Sequence, residues 1–482
     1  MTATGTILRL LGIFFKVFVA AKIGSEGMGL YQLVFSVYVL ASTFAASGIT
    51  VAVTRLCANE ISLGKKDGLL MLLRRSFTIS LLLAFITFTV LLFGSDFIAV
   101  VLLKDNRARL SILIFAFSLP FMAISSVIKG YFAARRKAAV NSAAVLIEQA
   151  ARIIFCLIFL NSFDHLGAGG GVAAIMAGDT IAEIIALIYT YIIYRLDLSK
   201  LRFSGSSQQF KGTRELIRIS APITAGRYST TILRTIENVI MPRALHKSSL
   251  SFSSALSAFG ALKGMALPVL FFPSSILSAF STLLIPEMSE ALARKNLLTI
   301  KHSTEKVLKV TWLLGAVFGC LFFISGKRVG DFIYHDDFSG YFIKVLAPLV
   351  PLMYLDSISD GILKGLDKQV FTFAGALIDS ASRIILILLF VPKYGINAFI
   401  YIMYISNLLT FILNMGKLLR VTGIKIRILE TVIIPVLSAF GFSLLFNSLF
   451  SFIRSDLLYI CITFGATILC YGASVFILQK RE

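Results

Sequence analysis

Apolar residues in this chain gather into long runs separated by short polar connections. Fourteen runs can be drawn, at 6–23, 31–57, 75–103, 110–133, 140–161, 170–194, 216–240, 260–287, 307–326, 341–363, 370–391, 395–416, 428–450 and 456–478. Most reach the roughly 18–20 residues that a helix needs to cross about 30 Å of hydrocarbon. The pattern predicts an all-α membrane protein of about 14 transmembrane helices. The first run, carrying Arg9 and Lys16, reads as a membrane helix and not as a cleavable leader.

The connections alternate in charge. Those after the even-numbered runs contain "GKKDG" with "RR", "ARRK", "RLDLSKLRFSGSSQQFKGTRELIR", "ARKNLLTIKHSTEKVLK", "KGLDK" and "KLLRVTGIKIR". Those after runs 5, 11 and 13, such as "NSFDHLGAGGG" and "PKYG", hold few cations, while "KDNRAR", "RALHK" and "GKRVGDFIYHDD" after runs 3, 7 and 9 are less clean. The positive-inside rule then places the even connections, and with an even number of crossings both termini, in the cytoplasm.

Composition agrees. The chain of 482 residues is 57% hydrophobic and 15% charged, with mean hydropathy +0.88, against about 25% charged in a soluble domain. The net charge of +21 follows from topology and contact with anionic lipid, so no nucleic acid is invoked. Five cysteines without ligand spacing and four scattered histidines predict neither disulfides nor a metal site.

An internal repeat is visible. "KGYFAARRKAAVNSAAVLIEQAARIIFCLIFL" from Lys129 resembles "KGLDKQVFTFAGALIDSASRIILILLF" from Lys364. Glu148 and Arg152 in the first answer to Asp379 and Arg383 in the second, 231 positions later. Arg9 and Lys16 stand seven apart, as do Arg227 and Arg234, a spacing that returns to nearly one helix face. The expected organisation is an N-terminal six-helix half (1–203), a cytoplasmic linker (204–212), a C-terminal six-helix half (213–420) and two added helices (421–482). Parallel repeats are an architecture of alternating-access transporters, with substrate held between the halves.

The stretch "LRLLGIFFKVFVAAKIGSEGMGLYQL" (8–33) resembles the N-terminal signature of the stage V sporulation protein B family. That family lies in the polysaccharide branch of the multidrug/oligosaccharidyl-lipid/polysaccharide (MOP) flippase superfamily, whose MATE members share its layout. "SSILSAFSTLLIPEMSEA" (274–291) and the 6+6+2 arrangement extend the resemblance along the chain. It implies a non-enzymatic flippase for an undecaprenyl-diphosphate-linked saccharide, a peptidoglycan precursor or related glycan, with a role in sporulation. Cell-wall synthesis enzymes are the implied partners, and a monomer is expected. "GSEGMGLYQ" then reads as the outer turn between spans 1 and 2, with Glu26 in water. Arg9 and Lys16 match basic positions of the family. Lys263, five residues before Pro268, resembles a basic position of a related peptidoglycan-precursor flippase, although Pro273 offers a second anchor for the alignment.

A charge at mid-membrane costs about 2.5–3.5 kcal/mol on insertion scales, so each such residue needs a reason. Arg9, Lys16, Arg55, Arg227, Arg234 and Lys263 concentrate in spans 1, 2, 7 and 8, which face the central cavity in the superfamily. They are the candidate diphosphate-binding cations, with Lys22 and Arg55 near span ends the readiest to snorkel. Glu148 with Arg152 and Asp379 with Arg383 have the spacing of intrahelical ion pairs. Asp179 with Glu183, and Asp356 with Asp360, are acid pairs without an obvious local partner and are the candidates for coupling to a proton or sodium ion. No cofactor is expected. The alternative is a cation-coupled multidrug exporter of the same superfamily, which would favour acids over this basic cluster. A membrane glycosyltransferase lacks its acidic extramembrane domain, and a scaffold or scramblase remains the fourth class.

Overall fold

The computed structural model describes residues 2–46, 48–63, 66–163, 167–200, 213–248, 250–424 and 428–479. Helices account for nearly all of them, and no strand occurs among the described residues. In hydrocarbon each backbone N–H and C=O must be satisfied within its own segment, which a helix does.

In chain order the helices are α1 (Thr2–Ala46), α2 (Ile49–Ser62), α3 (Lys66–Asp96), α4 (Ala108–Ala116), α5 (Ser118–Ala134), α6 (Ala138–Ser162), α7 (Gly167–Ser199), α8 (Thr213–Lys247) and α9 (Phe252–Gly260). They continue as α10 (Leu267–Phe271), α11 (Ser274–Ala293), α12 (Leu297–Tyr334), α13 (Asp337–Leu346), α14 (Val350–Gly365), α15 (Gln369–Thr422), α16 (Ile434–Leu449) and α17 (Asp456–Gln479). Side chains cap three starts: Ser251 accepts from the Ser254 amide at 3.1 Å, Asn296 from Thr299 at 3.1 Å and Asp336 from Ser339 at 2.8 Å, each satisfying an orphan donor of the first turn.

Ten helical stretches are long and apolar enough to cross a membrane, and an eleventh is the pair α4 and α5, bent by 41°. Two of the ten, Phe14–Ser62 and Gln369–Thr422, run to 49 and 54 residues, more than twice one crossing. Each is broken at a glycine in the left-handed region, Gly24 (φ 68°) and Gly395 (φ 63°), a backbone that favours glycine. The break at Gly395 divides its stretch into two crossings, and the break at Gly24 divides α1, which starts at Thr2, into two arms. α8, of 35 residues, is long enough to cross but too polar to stand out by hydropathy, and it completes the expected fourteen.

Boundaries differ from the sequence reading where local chemistry intervenes. Span 2 bends at Gly48, whose φ of 78° is left-handed, and glycine is needed there twice over, since a side chain would also overlap Thr224 of α8. Span 8 begins earlier, at Phe252, and its residues Ala261–Ala266 widen to a π-helix just before Pro268. Proline has no N–H for the preceding turn, so the backbone adjusts there. α12 extends from Leu297 to Tyr334, so "TIKHSTEKVLK" and "GKRVGDF", read as connections, are helical and carry the span beyond the hydrocarbon at both ends.

The chain forms two compact units. Unit 1 comprises residues 1–15 and 30–239, and unit 2 comprises 16–29 and 240–482. Within unit 1 the core gathers Leu56, Leu69, Leu72, Leu73, Ile128, Tyr131 and Leu216 from α2, α3, α5 and α8. Thr50 and Thr54 of α2 donate to the carbonyls of Ser126 and Gly130 of α5, both at 3.2 Å. Here α8 lies antiparallel to the second arm of α1. Asn238 donates to Ser36 at 2.8 Å, Thr235 to the Ser36 carbonyl at 3.2 Å, and the Tyr228 and Phe44 rings stack at 4.1 Å.

Within unit 2, "GAVFG" and "GKRVG" on α12 place four glycines against neighbours. Methyl groups on Gly315 and Gly319 would meet Pro351 of α14, and on Gly326 and Gly330 would meet Lys344 and Gly340 of α13. Small residues four apart let membrane helices approach closely. The segment 16–29 uses the same device. A methyl on Gly29 would overlap the Leu256 carbonyl, and one on Gly260 the Ser25 carbonyl. The opening signature is thus one chain break at Gly24 plus a tight crossing at Gly29, and Glu26 is half-buried instead of standing free in water.

The repeat register appears in the backbone. Arg136 (φ 57°) and Asp367 (φ 58°) adopt the left-handed conformation in turns 231 positions apart. Lys137 donates its amide to Phe132 at 3.0 Å and Lys368 to Leu363 at 2.8 Å, again 231 apart. The two "KG" dipeptides are offset by 235, so in this register Lys364 answers to Ala133, one helical turn beyond Lys129.

Candidate functional site

The candidate cations divide between the two units. Arg55 lies on α2, and Arg227 and Arg234 lie on α8, all in unit 1 and all exposed. The α1–α8 contacts use Thr224, Tyr228 and Thr235, so Arg227 and Arg234, each one residue earlier, fall beside that interface on a common side. Lys16, exposed, and Lys263, half-buried in the π-helical stretch, belong to unit 2. The side chain of Arg9 lies outside the described residues. Among the described residues Lys16, Arg55, Arg227 and Arg234 form no ion pair with an acid.

The acid–arginine pairs behave differently. In unit 1, Arg152 reaches Glu148 at 3.0 Å along α6 and Asp179 of α7 at 2.5 Å, while Lys129 of α5 approaches Glu148 at 3.7 Å. The Arg152–Asp179 contact is an ion pair whose angle falls outside hydrogen-bond range. In unit 2, Arg383 reaches Asp379 at 2.6 Å along the first arm of α15 and donates to Ser406 of the second arm at 2.8 Å. Ser406 in turn donates to Asp379. Each unit therefore holds one intrahelical ion pair whose arginine also ties the next helix.

The coupling candidates separate in the same way. Asp179 has Arg152, and Asp360 has Lys364 at 2.5 Å. Asp356 of α14, half-buried, accepts from Asn414 of α15 at 2.8 Å. Glu183 is buried, 6% exposed, and forms no ion pair among the described residues. No cluster of His, Cys, Asp or Glu there has the geometry to hold a metal ion.

One functional-looking cluster is not visible in the sequence. Asp197, 5% exposed, accepts from the Tyr131 hydroxyl at 2.8 Å and from Arg135 at 3.2 Å, and Lys137 binds its other oxygen. This knot ties the end of α5 to the end of α7. Two cations of "ARRK", counted as loop charges, are thereby paired with a buried acid, Arg135 half-buried and Lys137 exposed. The only sequence trace of it is that both cations follow Tyr131, four and six positions on.

Comparison with known proteins supplies context for this arrangement. A family model described as "polysaccharide biosynthesis protein" matches residues 1–292. Stage V sporulation protein B of Bacillus subtilis (strain 168) is 26% identical over 436 residues, 89% of this chain and 84% of that one. A solved structure of the lipid II flippase MurJ in an inward closed conformation superposes with TM-score 0.73 at 15% identity, covering 100% of this chain and 99% of that chain. An inward-facing multidrug resistance MATE family transporter of the MOP superfamily gives TM-score 0.65 at 13% identity, covering 87% of this chain and 100% of that chain. The fold is that of the MOP superfamily.

Proposed function

The chain belongs to the polysaccharide biosynthesis protein family, and from that premise we propose that it is an alternating-access flippase for an undecaprenyl-diphosphate-linked saccharide. The observation that carries this reading is the contrast between two sets of membrane cations. Arg152 and Arg383 have acids of their own. Lys16, Arg55, Arg227 and Arg234 have none among the described residues, though each raises the cost of insertion. A ligand with two or more negative charges compensates such a set, and the guanidinium fork suits phosphate oxygens. The diphosphate-sugar head crosses against these cations while the polyprenyl chain stays in lipid. No bond is made or broken.

The protein would work in the bacterial cell membrane with both termini cytoplasmic, as the cation-rich connections favour, and hand its glycan to cell-wall synthesis enzymes. A peptidoglycan precursor and a sporulation role are the reading favoured by the relatives' names. A coupling proton or sodium ion would fall to Glu183 or Asp356, since Asp179 and Asp360 already hold cations.

The test uses purified protein in liposomes carrying fluorescent undecaprenyl-diphosphate sugar, with headgroup accessibility read from outside. Arg9→Ala, Lys16→Ala, Arg227→Ala and Arg234→Ala are expected to slow translocation at least tenfold with melting behaviour unchanged. Wild-type rates in all four would remove the cationic site. No wild-type movement, with or without a proton or sodium gradient, would turn the reading to drug export.

A further inference from the structure

A cavity of about 650 Å³ at the cation-rich end of α3 takes no part in the proposed transport. Asp67, Leu70, Met71, Arg74, Arg75 and Thr78 line it. The helix is divided lengthwise here. Leu69, Leu72, Leu73 and Ser76 are buried against the core of unit 1, which leaves the stripe Leu70, Arg74 and Thr78 exposed. Arg74 pairs with no acid among the described residues. Farther along α3 the exposed surface becomes wholly apolar, with Leu82 60%, Phe85 65% and Phe93 81% exposed.

Two guanidinium groups stand at the foot of this bare apolar face, inside a cavity that also offers Leu70 and Met71. That combination matches a phosphoester carrying acyl chains. Arg74 takes the phosphate oxygens through its paired donors, Arg75, which is half-buried with a partner of its own, adds positive charge beside it, and the chains continue along Leu82 and Phe85. A free anion would use the arginines and leave the apolar walls unfilled. Asp67 lies about 10 Å nearer the helix start than Arg74, from seven residues of helical rise. An acid at that height accepts hydrogen bonds from headgroup hydroxyls and disfavours a second phosphate. We infer that this cavity binds the phosphate and glycerol headgroup of an anionic membrane phospholipid, in the leaflet on the cation-rich side.

The test is native mass spectrometry of the full chain, released from micelles containing dioleoylphosphatidylglycerol or dioleoylphosphatidylcholine, with or without millimolar inorganic phosphate. The wild type should retain at least tenfold more phosphatidylglycerol than Arg74→Ala/Arg75→Ala, with Arg74→Lys/Arg75→Lys between them. Arg294→Ala, which removes an exposed arginine that pairs with Glu290, should match the wild type. Inorganic phosphate should not displace the lipid. Equal retention by the double alanine variant, equal retention of phosphatidylcholine, or a similar loss in Arg294→Ala would each overturn the site. Displacement by inorganic phosphate would make it a soluble-anion site and overturn the lipid assignment. Should the double variant fail to fold, Arg74→Gln alone carries the comparison.

Discussion

Replacing Arg152 with leucine removes the cation between Glu148 and Asp179 and leaves two carboxylates in the interior of unit 1 without it. Breaking a buried ion pair from one side costs about 3–5 kcal/mol. Arg152→Leu should therefore lower the melting temperature in detergent far more than Arg227→Leu, whose arginine has no acid partner among the described residues. A comparable loss in both would mean that the triad contributes nothing particular. Side-chain roles were only partly legible at this scale. Glu148 with Arg152 and Asp379 with Arg383 announce themselves by one-turn spacing. Asp179 does not, because its cation sits 27 positions earlier on another helix. Asp197 gathers partners from 60 to 66 positions away, a distance at which no local pattern survives.

Most crossings are set by apolar run length and could be drawn from the sequence, while α8 passes on length and not on hydropathy. What escapes such a reading is how closely helices meet. Gly260 and Gly416 look equivalent in a hydropathy trace. A methyl at Gly260 would overlap the Ser25 carbonyl, while one at Gly416 meets nothing within 4 Å. Gly260→Ala should cost well over 2 kcal/mol through overpacking and backbone shift. Gly416→Ala should be neutral or stabilise by up to about 1 kcal/mol through helix propensity. Thermal unfolding followed by tryptophan-independent dye fluorescence, suited to a chain with one tryptophan, would separate the two. Equal behaviour would contradict the close crossing. The paired glycines of α12, "GAVFG" and "GKRVG", were legible in principle through their four-residue spacing, but the first pair merges with its apolar run and the second encloses two cations that draw attention to topology instead.

The sequence repeat leads to an expectation of two six-helix halves and two added helices, whereas the compact units of the structure are composed differently. Unit 1 takes residues 213–239 from beyond the 204–212 linker, and unit 2 takes residues 16–29 from the start of the chain. Hydrophobic periodicity carries no information about such exchanges, since every helix presents apolar faces to lipid and to protein alike. One expectation follows. Residues 1–203 expressed alone should fail to fold stably, lacking α8 against the second arm of α1, and co-expression with 204–482 should restore a stable, co-purifying pair. A monodisperse, protease-resistant 1–203 fragment would show that the exchanged segment is dispensable.

The exchange at residues 16–29 also has a consequence for biogenesis. The ribosome delivers this segment well before Leu256 and Gly260, against which Gly29 closes and which emerge more than 220 residues later. At about 5–20 residues per second, the nascent helix waits on the order of ten seconds or more with its glycine notch unfilled. An insertase or a chaperone that shields small-residue faces would find its opportunity in that interval, and mutations at Gly29 would register first as loss of protein from the membrane.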